Sequence, residues 1–419
     1  MRARFAYAEY VSVDDVSGAY VLCYVSGVRT CNGVGGQLTV NDVIKIVSVA
    51  DACDEEIVAV VTQVGVERVA EILVDEIVCR FDRPQVEVGE TVAIGLRLAL
   101  GGESISSVVL VSPTEVTWKI AHVDELHATI EQDLVDVVRM VFGFGVAQNA
   151  SSRRLELRDS GSMETFKQPP AWFYIVQRLL ATMDFRDHVS IAELASRYGA
   201  DKWGIHLYAQ HYQRHFEPLR HRPLTILEIG VGGFGVGGFA DPAKGGASLR
   251  MWKNYFPRAW VYGFDIADKR GLSEQRIEII QGDQSDPAAL GELVRATGPL
   301  DIVIDDGSHV NGHVVTSFDT LFPYVRNGGL YVIEDLQTSY WPRFGGTSDN
   351  FDDQSTSVGY LKSLVDGLNY EEILGTGQRC PHSYDHTIKG LHFYHNIAFV
   401  EKGVNIEGGG PDWVRYGPK

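Results

Sequence analysis

Two groups of carboxylates in the second half of the chain have the residue types and spacing of a metal-dependent active site. The segment Asp305–His309 contains two adjacent aspartates, and Glu334 and Asp335 form a second acidic pair further along the chain. Crowded carboxylates repel one another unless a cation or a proton lies between them. Oxygen-only ligands favour a hard divalent ion, most simply Mg²⁺. The alternative is that single aspartates cap the helices that follow them, but the grouping favours a metal site.

His309 is the preferred general base of this group. It follows Asp306 by three residues, and histidine changes its protonation state near neutral pH. The chain has 13 histidines, and a single histidine is usually a hydrogen-bonded residue without a catalytic role. The position of His309 beside the expected metal is what favours the role of base. His313 is the next candidate, expected about one helical turn further on.

A glycine-rich segment, Leu227–Gly233, predicts a site for a nucleoside-type cofactor. Glu228 lies two residues before Gly230 at the end of an apolar strand, and glycines let a ligand approach the backbone closely. With Gly235 the segment also matches the dinucleotide fingerprint G-x-G-x-x-G. That fingerprint should begin a helix at once, whereas the next helix is expected only near Ser248. A plain surface loop would explain the glycines but not the acidic residue.

Polar residues follow the next two apolar strands of the same region. Asp265 ends one strand, where a carboxylate can accept hydrogen bonds from both hydroxyls of an adenosyl ribose. Asp283 and Gln284 follow the next strand, where polar side chains can contact an adenine. Strand ends are commonly polar for solvation, but three such ends in succession favour a ligand site, because open α/β sheets bind ligands at that edge.

Two aromatic residues, Tyr340 and Trp341, follow the second acidic pair and could stack on the apolar face of a sugar or a polyketide. Gly345 and Gly346 come next and suit a mobile lid. Packing of both rings in the core is the competing interpretation, and the sequence favours neither.

Short apolar strands that alternate with helices must position these residues from Leu224 onward. Such alternation predicts an α/β fold whose parallel sheet has both faces covered. The predicted strands are Leu224–Ile229, Trp260–Asp265, Ile277–Gly282, Leu300–Asp305 and Gly329–Glu334, followed by an antiparallel hairpin of Lys389–Tyr394 and Asn396–Glu401. The predicted helices are Ser248–Tyr255, Pro287–Thr297 and Val310–Leu321.

The first part of the chain predicts a smaller α+β auxiliary domain over residues 1–145, which contain no catalytic cluster. Its predicted elements are a helix at Glu55–Val78, strands around a turn at Gly89–Glu90 and a helix at His122–Val141. Residues 146–197 predict an exposed linker and bridging helices between Pro170 and Arg197. Residues 198–419 would then form the catalytic domain.

Composition and charge narrow the functional classes. The 419 residues suffice for two or three domains, and 55 acidic against 37 basic side chains give a net charge of −18. This charge argues against nucleic acid or an anionic membrane as a partner. No apolar run is long enough to span a bilayer, and we expect no signal peptide. The five cysteines lack C-x-x-C spacing, so we expect a reduced, cytoplasmic environment.

Six segments, in order along the chain, resemble the macrolide sugar O-methyltransferases, the enzymes of mycinamicin and tylosin assembly that methylate a deoxysugar already attached to its aglycone. The segments are Gly199–Gly204, Leu227–Gly233, Gly245–Lys253, Gln281–Asp286, Ile304–His309 and Tyr331–Trp341. The resemblance covers residues 198–402, and the loop at 234–239 is longer than the family pattern. The first domain is similar in kind to the auxiliary N-terminal domain of that family.

This resemblance implies a seven-stranded class I methyltransferase sheet of the Rossmann-like type, with S-adenosylmethionine as methyl donor. It also implies Mg²⁺ on Asp306, Glu334 and Asp335, with His309 as the base. The residues that we place with the cofactor are Lys202, Tyr208, Glu228, Gly230, Asp265, Asp283, Gln284 and Asp305.

The expected reaction is Mg²⁺-dependent transfer of a methyl group from S-adenosylmethionine to a deoxysugar hydroxyl of a glycosylated macrolide or other polyketide. Because a sugar hydroxyl is barely acidic at neutral pH, the metal would stabilise the alkoxide and His309 would remove the proton. An NAD-dependent oxidoreductase is the alternative, favoured only by the G-x-G-x-x-G match. A non-catalytic α/β subunit is disfavoured by the carboxylates and the histidine. We also expect a homo-oligomer, a tetramer built by the first domain, because that domain has no chemistry of its own.

Overall fold

A five-stranded sheet covered by helices forms the first part of the chain. The computed structural model describes residues 40–81, 89–123, 125–144, 152–158, 169–184, 189–233, 241, 243–374 and 384–417. The first sheet contains β1 (Val92–Leu100), β2 (Glu103–Val111), β3 (Val116–Ile120), β4 (Ala128–Asp133) and β5 (Arg154–Leu157). Its strand order is β3-β2-β1-β4-β5, in which β1 and β4 run parallel and the other pairs run antiparallel. The helices are α1 (Val40–Val49), α2 (Asp54–Val64), α3 (Val66–Arg80), α4 (Leu134–Phe142) and α5 (Ala171–Asp184).

One apolar core joins this sheet to its helices. Side chains such as Ile72 of α3, Ile94 of β1 and Val138 of α4 are fully buried in it. Leu179 of α5 belongs to the same core, and β5 pairs with β4. Within the segment 146–197, which we expected to connect two domains, β5 and α5 therefore pack with the first sheet. The helix Ile191–Tyr198 packs in the core of the second sheet.

Two helices predicted for this part differ from the observed elements. The predicted helix Glu55–Val78 is two helices, α2 and α3, because Gly65 between them has a φ of +101°, which favours glycine. The predicted helix His122–Val141 is wrong over its first part. Residues Ala128–Asp133 form β4, whose alternate residues are buried and whose backbone pairs with β1. Asp133 then caps α4 through its side chain.

The turn between the first two strands also differs from the prediction. A bend at Gly89–Glu90 precedes β1, and the strand predicted before it falls in residues 82–88, outside the described part of the chain. The chain turns from β1 to β2 at Gly101 and Gly102, whose φ values are +57° and +94°.

The prediction of a seven-stranded mixed sheet in the second part is confirmed. Its strand order is β11-β12-β10-β9-β6-β7-β8, with β12 antiparallel to both neighbours and β6 to β10 mutually parallel. Because the parallel strands end at one edge, the polar residues that follow them are brought together there. The strands are β6 (Thr225–Ile229), β7 (Trp260–Asp265), β8 (Ile277–Gln281), β9 (Leu300–Asp305), β10 (Val325–Ile333), β11 (Ile388–Tyr394) and β12 (Ile397–Lys402).

Helices accompany this second sheet, and the three that the sequence predicted between its strands, Ser248–Tyr255, Pro287–Thr297 and Val310–Leu321, are all present to within one residue. They are α6 (Ile191–Tyr198), α7 (Ala209–Phe216), α8 (Ala247–Tyr255), α9 (Pro287–Thr297), α10 (Asn311–Leu321), α11 (Ser357–Leu368) and α12 (Asp412–Arg415). Short 3₁₀ helices include Leu336–Tyr340 and Pro342–Phe344 after β10. None of the helices in the described ranges is long and apolar enough to cross a bilayer.

A buried network of charges joins the two parts of the chain. Glu76 of α3 is fully buried, and the guanidinium of Arg276, which precedes β8, donates hydrogen bonds to both of its carboxylate oxygens at 2.9 and 2.5 Å. Burial would raise the pKa of Glu76, but Arg276 and Arg80 hold it well below its usual range. Removing one partner of a buried pair costs about 3–5 kcal/mol, so this contact fixes the two parts against each other.

Candidate active site

The loop after β6 lies directly against the loop after β9. Gly230 has a φ of +91°, and a Cβ atom there would lie 2.1 Å from the carbonyl oxygen of Asp306. The amide of Asp306 in turn donates to the carbonyl oxygen of Ile229 at 3.0 Å. Only glycine permits so close an approach, so the predicted cofactor residue Gly230 brings the glycine segment against the first acidic pair.

Lys269 holds the far end of the glycine segment. Its buried ammonium donates to the carbonyl oxygens of Gly233, Asp241 and Lys244 at 3.1, 2.9 and 2.7 Å. These three bonds fix the two ends of the loop. The longer loop at 234–239, where the chain departs from the family pattern, lies outside the described residues.

Asp265 lies at the carboxyl end of β7, beside the glycine segment, as predicted. Its two carboxylate oxygens accept hydrogen bonds from the amides of Val231 and Ala267, each at 2.8 Å. Each oxygen keeps a further lone pair. The carboxylate is therefore oriented by the backbone and can still accept hydrogen bonds from ligand hydroxyls.

Gln284 and Asp305, two residues that we placed with the cofactor, bond each other. The Gln284 amide donates to Asp305 Oδ1 at 2.6 Å and to Ser317 Oγ at 3.1 Å, and its oxygen accepts from the Ser308 amide at 2.9 Å. Burial raises the pKa of Asp305 to about 6. Both polar atoms of Gln284 therefore have protein partners, and its oxygen holds the Ser308 loop.

Asp283, which we also placed with the cofactor, closes a local turn. Its Oδ1 accepts from the amide and the hydroxyl of Ser285 at 2.8 and 2.7 Å, and these bonds lower its pKa. The residue as a whole is half-buried.

Lys202 lies among the acidic side chains rather than apart from them. Its buried ammonium is 2.5 Å from Asp306 Oδ2, 3.0 Å from Glu334 Oε2 and 3.0 Å from Asp201 Oδ1. Burial opposes its charge, but the carboxylates hold the pKa of Lys202 well above its usual range. Burial and the neighbouring Asp306 raise the pKa of Glu334. One ammonium does not neutralise three carboxylates, so this group retains an affinity for a further cation or for protons.

Asp306, His309 and Asp335 lie close together, whereas Glu334, the third predicted metal ligand, is not in this group. One ligand atom from each lies within 4.8 Å of the others, and His309 Nε2 is 3.4 Å from Asp335 Oδ2. His309 and Asp335 have φ values of +57° and +53°, a strained conformation that clusters at functional sites. Burial would raise the pKa of Asp335, but His309 and hydrogen bonds from Gln337 and Tyr208 lower it below its usual value. Carboxylate oxygens with one imidazole beside them fit a hard divalent ion.

Two tyrosines on one face of α7 hold the second acidic pair. Tyr208, which precedes α7 and was placed with the cofactor, donates to Asp335 Oδ1 at 2.8 Å. Tyr212, one helical turn later, donates to Glu334 Oε1 at 2.5 Å. Sequence reasoning missed Tyr212, although the four-residue spacing from Tyr208 is the signal that could have found it.

Two further residues of the site were also missed. Asp201 contacts the Lys202 ammonium, and His206 stacks on Tyr208 with ring centroids 4.6 Å apart. His206 Nε2 also lies 3.8 Å from Asp335 Oδ1. Neither has a sequence signal beyond its closeness to Lys202.

Glu228 is buried beside this group and has one unbonded oxygen. Its Oε2 accepts from Ser248 Oγ at 2.8 Å, and its Oε1 has no hydrogen-bond partner among the described residues. Burial raises the pKa of Glu228 to about 8; the charge of Asp306 adds to this effect and that of Lys202 opposes it. A carboxyl group in this state is protonated at neutral pH when the site is empty.

The protein without metal or cofactor should therefore lose stability as pH rises from about 4.5 to about 8. The folded pKa of Glu228 lies above its ordinary value of 4.5, so the native state binds an extra proton in that window and the unfolded state does not. The Glu228→Gln variant should show a smaller fall in the free energy of unfolding between pH 5 and pH 8, measured by urea denaturation in EDTA. Glu292→Gln, at an exposed position, is the control and should match the parent. Equal falls in the parent and Glu228→Gln would contradict the prediction.

The aromatic residues Tyr340 and Trp341 lie at the rim of the site. They are 40% and 41% exposed, so the structure does not bury them in the core. Asn311, at the start of α10, is fully buried and donates to the carbonyl oxygens of Thr338 and Phe344, which fixes the segment carrying both rings. Trp203, beside Lys202, is 43% exposed.

Comparison with known proteins gives consistent matches along the chain. Residues 43–153 match the family described as MycE methyltransferase N-terminal. The chain is 45% identical to the 8-demethyl-8-alpha-L-rhamnosyl tetracenomycin-C 2'-O-methyltransferase of Streptomyces olivaceus, over 85% of this chain and 93% of that protein. It is 39% identical to the mycinamicin VI 2''-O-methyltransferase of Micromonospora griseorubida, over 90% of this chain and 94% of that protein.

A solved structure extends the match to three dimensions. The MycE methyltransferase of the mycinamycin biosynthetic pathway, in complex with Mg, SAH and mycinamycin VI, has a TM-score of 0.80 and 39% identity to this chain. The match covers 89% of this chain and 96% of that one. Both parts of the chain are therefore included in the similarity.

Proposed function

This chain belongs to the family of sugar O-methyltransferases of natural-product biosynthesis, and from that premise we propose that it transfers a methyl group from S-adenosylmethionine to a deoxysugar hydroxyl of a glycosylated macrolide or other polyketide. The family confirms the resemblance noted in the sequence and leaves no support for an oxidoreductase. The observation on which the proposal rests is the convergence of Asp306, His309 and Asp335 beside the glycine segment. The absence of a disulfide pattern favours action in the cytoplasm.

The glycine segment and Asp265 form the proposed cofactor site. Gly230 leaves the backbone without a side chain at the edge of the sheet, and Asp265 retains lone pairs for the two hydroxyls of a ribose. S-adenosylmethionine would supply the methyl group on a sulfonium. The remaining predicted cofactor residues line or support the same edge: Lys202, Tyr208, Glu228, Asp283, Gln284 and Asp305.

Asp306, Glu334 and Asp335 are the proposed ligands of the metal. Bound Mg²⁺ would supply Lewis-acid stabilisation of negative charge on the sugar oxygen. Tyr212 and Tyr208 hold the carboxylates of Glu334 and Asp335 in place. Lys202 balances part of the negative charge and keeps Asp306 and Glu334 close together.

His309 is the proposed base. Its Nε2 lies beside Asp335, whose negative charge stabilises the imidazolium that forms when the ring takes the proton of the sugar hydroxyl. Tyr340 and Trp341 are proposed to stack on the substrate, because both rings are open to solvent at the rim. Holding acceptor and donor in adjacent sites places the oxygen in line with the methyl group.

The reaction is tested by incubating the full-length chain with S-adenosylmethionine, Mg²⁺ and a panel of glycosylated polyketides that lack sugar methylation. Mass spectrometry should find one added methyl group on the sugar fragment of at least one compound. Calorimetry should show binding of S-adenosylhomocysteine and none of NAD. Binding of NAD with no binding of S-adenosylhomocysteine would overturn the proposal.

We also propose that the first sheet builds a homo-oligomer, a tetramer. Its edge strand β5 exposes Leu155 and Leu157, each 43% accessible, and the open backbone of an edge strand favours pairing with another chain. Light scattering at micromolar concentration should give the mass of four chains, and Leu157→Lys should lower it. Val404→Lys, also at an exposed apolar position, is the control. A single-chain mass for the parent protein would contradict this proposal.

A further inference from the structure

A second group of side chains able to bind a metal lies between the last turn of α7 and the hairpin of β11 and β12. His215 of α7, His392 of β11 and Glu401 of β12, here called the histidine cluster, each offer a ligand atom within 4.8 Å of the others. It shares no residue with the cluster of Asp306, His309 and Asp335. The reaction proposed above does not use it.

The pairing of β11 with β12 explains why these side chains meet. In this hairpin His392 lies opposite Phe399, and Gly390 lies opposite Glu401, so all four positions share one face of the sheet. His215 stacks on Phe399 with ring centroids 4.3 Å apart, which places α7 over that face.

A glycine in the hairpin leaves the space that the cluster occupies. A Cβ atom at Gly390 would lie 3.2 Å from Glu401 Oε2 and 3.3 Å from His392 Nε2. Without that atom, the Glu401 carboxylate turns toward the histidine, and Glu401 Oε1 is 2.8 Å from His392 Nε2. The rings of His215 and His392 are 4.6 Å apart.

We propose that His215, His392 and Glu401 bind one divalent transition-metal ion, with Zn²⁺ as the physiological candidate. Two imidazoles and one carboxylate are a common protein ligand set for zinc, which leaves a fourth position to water. The same set is a poor match to Mg²⁺, which prefers oxygen ligands. The site therefore differs in metal preference from the carboxylates at the strand edge.

The groups that face the cluster are compatible with a bound cation. Burial and the neighbouring His392 lower the pKa of His215 to about 4, so its ring is neutral and able to act as a ligand at neutral pH. Tyr394 shares a 2.9 Å hydrogen bond with His215 Nε2, and His211 stacks on Tyr394 at 3.9 Å. The positive charge of Arg214 also lowers the pKa of His215, and this charge would repel a bound cation.

An ion here would fix the edge strand β11 and β12 to α7. The same helix carries Tyr212, which bonds Glu334. Tyr208, the residue before the helix, donates to Asp335 and to the carbonyl oxygen of Asn396 in the β11–β12 turn. Zinc at the histidine cluster would thus hold the helix that positions the acidic pair. We expect this ion to take no part in methyl transfer, because the histidine cluster shares no residue with the group of Asp306, His309 and Asp335.

The test uses the full-length chain carrying Asp306→Asn, which weakens competing metal binding at the strand edge. Calorimetry should show one Zn²⁺ bound per chain. Adding His392→Ala or His215→Ala should weaken that binding at least tenfold, since even outer-shell changes at metal sites weaken affinity 10–100-fold. Adding His395→Ala, at an exposed histidine of the same hairpin, should leave it unchanged. Retained affinity in both cluster variants would overturn the proposal.

A second measurement avoids any variant that fails to fold. Crystals of the unaltered protein soaked in Zn²⁺ should give an anomalous peak, at the zinc absorption edge, between His215, His392 and Glu401. Absence of that peak would also overturn the proposal.

Discussion

Replacing His309 with alanine should lower the turnover of methyl transfer about a hundredfold or more, the loss expected when a general base is removed. The affinity for S-adenosylhomocysteine should remain unchanged, because the glycine segment and Asp265 do not bond His309. Single-turnover assays and calorimetry on the same preparation measure the two effects separately.

His313→Ala is the matched control for this substitution. His313 follows His309 by four residues, but its Nδ1 bonds Ser308 Oγ at 2.9 Å and it is absent from the cluster of Asp306 and Asp335. We expect its turnover to stay within a few-fold of the parent. Near-normal turnover in His309→Ala together with a large loss in His313→Ala would transfer the role of base to His313.

Removing the metal with EDTA should abolish methyl transfer, and adding Mg²⁺ should restore it. Asp306→Asn should also abolish transfer, but Mg²⁺ should not restore that variant, because a proposed ligand charge has been lost. The substitution keeps the side-chain volume, and Lys202 retains Glu334 and Asp201 as partners, so we expect the fold to survive. Circular dichroism checks the fold beside the activity assay.

Asp366→Asn provides the control for the loss of one carboxylate. This residue lies on the exposed face of α11 and should leave both activity and Mg²⁺ dependence unchanged. Full activity of the parent protein in EDTA would mean that Asp306 and Asp335 serve to orient Lys202 and Tyr208 rather than to hold a metal. The Glu228→Gln measurement, made without metal, is independent of that outcome.

The local sequence pattern was sufficient to predict the bounds of most elements of the second sheet. Trp260–Asp265, Leu300–Asp305 and Pro287–Thr297 have the bounds that the sequence predicted, because strands buried on both faces and a capped helix have strong local signals. Pattern failed at Ala128–Asp133, where pairing with β1 outweighed the helical tendency of the segment. It also failed at Gly65, where one positive φ divides a continuous apolar periodicity into two helices.

The sequence by itself determined which residues stand at the strand ends and therefore which chemistry is present at the edge of the sheet. Only the tertiary structure decided which of these side chains contact one another. It placed the ammonium of Lys202 between Asp306 and Glu334, and gave Glu334 the hydroxyl of Tyr212. These partners lie more than a hundred residues apart in the chain. Periodicity reports which face of an element is apolar, whereas contacts across such distances depend on how the elements pack.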